Sequence, residues 1–146
     1  MMTVSFKKLD ARAVLPRRGS ALAAGADLCA LPGEEITLAP GETRLVRTGL
    51  AAAIPAGYAG FIFARSGLAS KRGLAPANKV GVIDADYRGE ILVALHNHGA
   101  EPQTLLSGER IAQLVLLPCP EWEVTECDEL DDTARGEGGF GSTGRQ

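Results

Sequence analysis

The sequence predicts an all-β protein with one short helix. Glycine is frequent, with 18 among 146 residues, and only 5% of the residues are aromatic. The core must therefore come from Val, Leu, Ile and Ala in short segments between tight turns, which is typical of β structure. No stretch shows the sustained periodicity of a long amphipathic helix. A chain of this length forms one domain that folds without disulfides or a structural metal.

The first half of the chain predicts a series of short strands. Residues 3–9 mix β-branched, aromatic and lysine side chains, which favours a strand at an edge or between subunits. Residues 35–50 predict two strands joined into a hairpin by a Pro-Gly turn at residues 40–41. Three consecutive bulky apolar side chains within residues 58–64 indicate a strand buried on both faces.

The second half predicts the helix, a second hairpin and further strands. Residues 66–74 are better suited to a short helix than to a strand. Apolar residues 80–83 and 90–95 lie on either side of a polar connection, so they predict a second hairpin. Short strands are also predicted at residues 104–106, 111–117 and 122–126.

Charge and composition exclude several classes of protein. A formal net charge of −3 argues against a protein that coats nucleic acid. The three cysteines lack close C-x-x-C spacing, which predicts reduced thiols. The N-terminus shows no signal peptide, and residues 49–64 are too short and too broken by Pro and Gly to span a bilayer. We therefore expect a cytoplasmic protein with no nucleic acid and no membrane among its partners.

Arg65, Ser66 and Gly67 lie where an apolar strand gives way to the predicted helix. Backbone N–H groups at a helix start, together with a guanidinium, suit a phosphate. An ordinary helix cap beside a solvated arginine explains the tripeptide equally well.

A second candidate group surrounds the predicted second hairpin. Asn78, Asp84 and Tyr87 offer an amide, a carboxylate and an aromatic face with a hydroxyl, which together suit a nucleoside. A carboxylate beside bound phosphates can orient and deprotonate a water molecule. A turn-forming pair, Asp84 and Asp86, is the alternative interpretation.

Two further features leave alternatives open. Asp27 is a single acid in an apolar setting, suited either to a local turn or to contact with a hydrated cation. His96 and His98 alternate on a strand, but no third ligand has suitable spacing, so surface roles are favoured over metal binding.

The C-terminal segment, residues 131–146, is rich in glycine and cannot form a core of its own. Its composition favours a flexible tail. The alternative is a lid that orders over a ligand, with Arg135 supplying charge, Phe140 stacking, and Ser142 and Thr143 contacting phosphate oxygens.

Five motifs, in order along the chain, resemble those of the homotrimeric deoxyuridine triphosphatases (dUTPases). They are residues 24–30 (AGADLCA), 65–68 (RSGL), 81–89 (GVIDADYRG), 108–113 (GERIAQ) and 135–144 (RGEGGFGSTG). Each alone is weak, but together they cover nearly the whole chain, and they favour the lid over the flexible tail. The departures are small: Ala64, for instance, stands where the family often has proline.

The resemblance implies a β-clip or jelly-roll-like subunit of a homotrimer with active sites shared between subunits. Residues 1–130 would form the β-clip domain, and residues 131–146 an arm that closes the site of a neighbouring subunit. The implied reaction is hydrolysis of dUTP to dUMP and pyrophosphate, which keeps uracil out of DNA and supplies dUMP for dTMP synthesis.

The resemblance also implies roles around the phosphates. Asp84 would activate the water that attacks the α-phosphorus, and Gln113 would hydrogen-bond near that water and the α-phosphate. Mg²⁺ would be held mainly by the three phosphates, with Asp27 contacting it through water. The remaining phosphate ligands would be Arg65, Ser66, Gly67, Arg135, Ser142 and Thr143.

Base and sugar selectivity follow from the same resemblance. The backbone around Val82 and Ile83, with Asn78, would pair with the edge of uracil, and Phe140 would stack on the base. Tyr87 packed on the sugar would exclude a ribose 2′-hydroxyl. Rival interpretations are a dCTP deaminase-like enzyme, a non-catalytic nucleotide-binding regulator on the same fold, and a capsid-like structural jelly roll.

Overall fold

The computed structural model describes residues 2–33 and 35–139. Within them the chain forms twelve strands and one helix of seven residues, which confirms the predicted all-β class. The elements are β1 (Ser5–Lys8), β2 (Arg17–Arg18), β3 (Ala26–Cys29), β4 (Ile36–Leu38), β5 (Thr43–Arg47), β6 (Leu50–Ala53), β7 (Tyr58–Phe63), α1 (Ser66–Arg72), β8 (Leu74–Pro76), β9 (Gly81–Ile83), β10 (Leu92–Asn97), β11 (Gln103–Leu105) and β12 (Arg110–Pro118). No helix in this part of the chain has the length and apolar content needed to cross a membrane.

The strands form antiparallel sheets around one core. The largest sheet has the order β2-β3-β12-β7-β9, and a second has the order β5-β10-β8. The pairs β1-β6 and β4-β11 complete the pairing within the described residues. Leu28, Leu50, Leu95, Leu105 and Ile111, which come from five different strands, are fully buried in the same cluster. The sheets therefore share one hydrophobic core.

Neither predicted hairpin forms. The turn at residues 40–41 is present, but β4 pairs with β11 and β5 pairs with β10, so the two strands that it joins lie in different sheets. Likewise β9 pairs with β7, whereas β10 pairs with β5 and β8. Strand partners are decided by which apolar faces can be buried together, and here each connection carries the chain from one sheet to another.

The strand predicted at residues 122–126 is also absent. Residues 119–139 form neither helix nor strand, and Trp122 and Val124 are 81% and 83% exposed. A strand needs a neighbour for its backbone groups, and β12, which precedes this segment, is already flanked by β3 and β7. Within one chain, therefore, this segment has no sheet edge to join at that point.

Two other strand predictions can be compared with the structure. Among the residues that the structure describes, β1 pairs only with β6, which agrees with the predicted edge position. β7 buries Ile62 on one face, but Phe61 and Phe63 on the other face are only half-buried. Burial on both faces of β7 is thus incomplete in the single chain.

Candidate active site

Helix α1 begins directly after β7 and presents the first group of candidate residues. Arg65 is its N-cap, in extended backbone conformation and without a side-chain capping bond, and Ser66 and Gly67 follow as exposed first-turn residues. The amides of a first helical turn have no acceptor within the helix. A β-carbon at Gly67 would meet no atom within 4 Å, so this position has open space for a ligand or a neighbouring chain.

The helix ends after two turns for a local reason. Gly73 adopts the left-handed conformation, with φ of 65°, and its N–H bonds back to Ala69. A β-carbon there would lie 2.8 Å from the backbone nitrogen of Gly99, so only glycine fits. This stop turns the chain into β8 and fixes the helix, and with it Arg65, at the end of the large sheet.

Asp27 lies between two arginines. Its Oδ1 accepts a hydrogen bond from Arg65 Nε at 2.8 Å, and its Oδ2 accepts one from Arg110 Nη1 at 3.1 Å. The Asp27 and Arg65 side chains are 20% and 28% exposed, so water screens this pair only partly. Arg17 on β2 stands opposite Asp27 in the sheet register. Since guanidinium groups outnumber the carboxylate, the cluster has an excess of positive charge that suits an anion.

Gln113 belongs to the same cluster. It pairs with Asp27 and with Phe63 across the neighbouring strands, and its Nε2 donates to the Ala64 carbonyl at 2.9 Å. A β-carbon at Gly25 would lie 2.6 Å from Gln113 Oε1, so glycine at that position allows the amide to lie flat against the backbone. The strand order β3-β12-β7 thus brings Asp27, Arg65 and Gln113 together.

A second group lines a separate cavity of about 230 Å³. Its walls are Val82, Ile83, Asp84, Tyr87, Glu90 and Leu92. Asp84 is exposed, and Val82 and Tyr87 are 56% and 42% exposed. Asp84 and Tyr87, the carboxylate and the aromatic side chain of the predicted nucleoside group, therefore lie in one cavity beside the edge strand β9.

Asn78 lies at the other end of β9 from Asp84. Its carbonyl accepts a hydrogen bond from the Val80 N–H at 2.7 Å, and its amide nitrogen approaches Gly81. It is exposed, and it is not among the residues that line the cavity of Asp84 and Tyr87.

The two groups are far apart within one chain. Ile83 pairs with Gly60 near the start of β7, and Asp84 continues away from the end of β7 where Arg65 lies. At a rise of about 3.3 Å per residue, Asp84 and Arg65 are separated by about 15 to 20 Å. A single chain therefore does not bring the predicted base to the predicted phosphate ligands.

Of the candidate residues in the C-terminal arm, Arg135 lies among the described residues. Arg135 is exposed, and its Nε donates to the Gly138 carbonyl at 2.7 Å, a local contact within the arm. Phe140, Ser142 and Thr143 lie outside the described residues.

Two residues near these groups were missed from the sequence. Arg110 contacts Asp27, and the signal for it in the sequence was its place in the fourth motif, residues 108–113, which also contains Gln113. Glu90 lines the cavity of Asp84 and Tyr87, but it follows the third motif, and nothing in the sequence alone marks its carboxylate.

The Cys29 thiol is half-buried near Asp27. Burial raises its pKa, as does the nearby Asp27 charge, while Arg110 and Arg65 oppose the shift.

The two histidines contact one another. His96 Nδ1 and Thr43 Oγ1 are 2.7 Å apart, and the His96 and His98 rings lie 4.4 Å apart edge to face. Partial desolvation lowers the pKa of His98, helped by His96 and Lys79.

A divalent cation would find few protein ligands here. Among the described residues, no three His, Cys, Asp or Glu side chains are grouped to hold a metal ion. Both Asp27 oxygens already accept hydrogen bonds from arginine, but a carboxylate has about four lone-pair positions and can still accept from water. That arrangement fits a hydrated Mg²⁺, which keeps several waters and takes its other ligands from a substrate.

These features define an all-β protein with an arginine-rich anion group and an aromatic cavity that contains a carboxylate, a combination that suits a nucleotide. Comparison with known proteins is more specific: the chain belongs to the dUTPase family, whose model matches residues 11–144. Its subunit fold is accordingly the β-clip, jelly-roll-like fold.

Relatives and solved structures match over nearly the full chain. The deoxyuridine 5'-triphosphate nucleotidohydrolase of Desulfitobacterium hafniense is 53% identical, covering 97% of this chain and 94% of that protein. The Anaeromyxobacter protein of the same name is 50% identical over 99% of both. The dUTPase of Staphylococcus bacteriophage 80alpha, solved with dUPNHPP, has a TM-score of 0.90, 30% identity and 99% coverage of both chains. A mutant dUTPase from phage phi11 of S. aureus, described with a structural Mg(II) ion, has a TM-score of 0.79, 27% identity and coverage of 88% and 98%.

Proposed function

We propose that this chain is a dUTP diphosphatase, which hydrolyses dUTP to dUMP and pyrophosphate. The chain is a hydrolase of the dUTPase family, and its relatives across the whole length carry the name deoxyuridine 5'-triphosphate nucleotidohydrolase. The geometric observation that carries the proposal is the cavity in which Asp84 stands beside Tyr87 and the edge strand β9.

Asp84 is the general base in this proposal. Its carboxylate is exposed at the cavity, where it can accept a proton from a water molecule. The water oxygen forms a bond to the α-phosphorus, and the bond from that phosphorus to the bridging oxygen of the β,γ-pyrophosphate breaks. The proton passes to Asp84 and then to solvent.

Selectivity for uracil would come from β9. This strand lies at the edge of the large sheet, so the peptide groups of Val82 and Ile83 that face away from β7 are open to a ligand. Uracil presents an N–H between two carbonyls, whereas cytosine presents the wrong donor and acceptor pattern. Asn78, three residues before β9, would complete the polar contacts to the base, and the Tyr87 ring would pack on the deoxyribose.

The phosphates would bind the arginine group. Arg65, Ser66 and Gly67 supply a guanidinium, a hydroxyl and helix-start N–H groups, and Gln113 lies beside them. Mg²⁺, bound mainly by the substrate phosphates and contacting Asp27 through water, would neutralise charge on the phosphates and the departing pyrophosphate.

We also propose a homotrimer with shared active sites. The separation of Asp84 from Arg65 supports sites built from more than one chain. The exposed apolar side chains of Trp122, Val124 and Leu130 support burial of the C-terminal part against a neighbour. Residues 131–146 would close the site, with Arg135 on the γ-phosphate, Phe140 on uracil, and Ser142 and Thr143 on phosphate oxygens. In the cytoplasm such an enzyme keeps uracil out of DNA and supplies dUMP.

The test is pyrophosphate release from dUTP, dCTP, dTTP and UTP with Mg²⁺. Wild type should release pyrophosphate from dUTP with strong preference over the other three. Asp84→Asn should lower kcat by about 100- to 10,000-fold, since it removes the base while keeping the side-chain shape. Asp86→Asn, a matched loss of charge two residues away, should stay close to wild type. Ammonia release from dCTP, or equal loss in both variants, would contradict the proposal.

A further inference from the structure

The Tyr87 side chain contacts Gly89 and Glu90, the two residues that end its loop. Its hydroxyl donates to the Glu90 carbonyl at 2.9 Å, and its N–H donates to the Asp84 carbonyl at 3.2 Å. The ring lies so close to Gly89 that a β-carbon there would be 2.6 Å from Tyr87 Cζ. The position of the ring therefore follows the position of the backbone at residues 89–90.

The Glu90 carboxylate anchors that backbone to Arg47 and Gly49. Both its oxygens lie 3.1 Å from Arg47 Nε, and Oε1 also accepts the Gly49 N–H at 2.8 Å. Gly49 has φ of 69°, and a β-carbon there would lie 2.8 Å from Leu31, so this anchor has little freedom. The Glu90 side chain is 19% exposed but the Arg47 side chain is 55% exposed, so water screens the ion pair and the Gly49 hydrogen bond is the better shielded of the two anchors.

The strand that follows is anchored without the Glu90 side chain. The Ile91 N–H donates to the Leu50 carbonyl at 2.7 Å, and the Thr48 hydroxyl donates to the Ile91 carbonyl at 2.7 Å. Loss of the Glu90 carboxylate would therefore release the loop that carries Tyr87 while the core behind it stays formed.

Charge explains why a glutamate is tolerated here. Glu90 and Asp84 line the same cavity, and a second unpaired carboxylate there would repel a triphosphate. Arg47 neutralises Glu90, so Asp84 remains the carboxylate that faces a ligand without such a partner among the ion pairs of the described residues.

We propose that Glu90, paired with Arg47, is a positioning residue that sets the Tyr87 ring and thereby the discrimination between deoxyribose and ribose. This inference rests on the proposed function. Glu90 acts through Tyr87, because a ring that is free to shift leaves space for a 2′-hydroxyl that the fixed ring excludes.

The experiment compares kcat/KM for dUTP and for UTP in Glu90→Ala, Glu90→Gln and wild type. Glu90→Ala should lower the ratio of the two values by about tenfold, the scale of one lost polar contact. Glu90→Gln keeps an acceptor for the Gly49 N–H but loses the charge pair, so its ratio should fall by less. Tyr87→Phe should lower the ratio too, and the Tyr87→Phe, Glu90→Ala double variant should lower it no further.

Glu42→Gln is the matched control, because it breaks a similar pair with Arg44 at the far end of β5 from Arg47. It should leave the ratio unchanged. An unchanged ratio in a folded Glu90→Ala protein, or an equal fall in the control, would overturn the inference while leaving the proposed function in place. Absence of dUTP turnover in wild type would instead overturn the proposed function, and the inference with it.

Discussion

Cys29 lies two residues from Asp27 on β3, and its thiol is half-buried. Because burial and the Asp27 charge raise its pKa, the folded chain keeps the thiol protonated at a pH where an unfolded chain has lost the proton. The contribution of this shift to the free energy of unfolding is fully present at a pH below the thiol's pKa in the unfolded chain. It is lost as pH rises through the thiol's pKa in the folded chain.

The prediction is slow, strongly pH-dependent alkylation of Cys29. In a Cys119→Ser, Cys127→Ser background, iodoacetamide should modify it at pH 8 about tenfold or more slowly than a free cysteine peptide, since the thiolate is the nucleophile. Mass spectrometry across pH 7 to 10 gives the rate profile, with the half-rise displaced upward from that of the peptide. A profile identical to the peptide's would show that neither burial nor Asp27 acts on this thiol.

Asp27, Arg65 and Gln113 were predictable individually, but their contacts were not. Asp27 and Arg65 are 38 residues apart, and only the strand order β3-β12-β7 brings them together. Strand alternation does not place Arg110 beside Gln113, because residues three apart on a regular strand point to opposite faces. The register shift between Arg110 and Ala112 adds a residue, so Arg110 and Gln113 share a face.

At the scale of elements, Arg72 connects α1 to β11 and to the turn before β12 by hydrogen bonds. Its Nε donates to Gln103 Oε1 at 3.0 Å, its Nη1 to Glu109 Oε1 at 2.5 Å and its Nη2 to the Thr104 carbonyl at 2.6 Å. Glu109 also accepts the Leu106 N–H at 2.9 Å. One side chain thus sets the helix that carries Ser66 relative to the strand that carries Gln113.

Removing this guanidinium should cost stability. Arg72→Gln should lower the free energy of unfolding by about 1–3 kcal/mol, because it leaves Glu109 and the Thr104 carbonyl without their donors in a partly buried setting. Arg72→Lys should recover only part of it, since an ammonium cannot make three directed bonds in a fork. Urea denaturation measures the change, with Lys71→Gln, an exposed neighbour, as control. Equal midpoints for Arg72→Gln and Lys71→Gln would contradict this role.

At the scale of elements, the helix and the turn could be predicted from the sequence, but the partner of each strand could not. The short helix and the turn at residues 40–41 depend on residues next to one another, so the sequence determines them. The partner of β4 is β11, joined by a hydrogen bond between Thr37 and Thr104, which are 67 residues apart. Alternating apolar residues mark a strand but do not identify its neighbour, which is why both hairpins were predicted wrongly.

At the scale of the whole molecule, the proposed homotrimer has sites that draw on more than one chain, a proposal that the distance between Asp84 and Arg65 supports. Variants that each remove one contribution should therefore complement one another. Asp84→Asn and Arg65→Gln should each be nearly inactive alone. When the two are unfolded together and refolded as a mixture, a site is complete if its Asp84 comes from the Arg65→Gln chain and its Arg65 from the Asp84→Asn chain. Random assembly of equal amounts makes this true for about a quarter of the sites.

Mixing wild type with a chain that carries both substitutions separates the two architectures. If sites are shared, this mixture also retains about a quarter of wild-type activity per site, because each contribution is intact half the time. If one chain supplied both residues, the first mixture would stay inactive and the second would retain about half. Pyrophosphate release from dUTP measures both mixtures, and analytical ultracentrifugation establishes that they assemble alike. Equal recovery in the two mixtures is the result expected of a site divided between subunits, because Asp84 and Arg65 lie toward opposite ends of β7 within one chain.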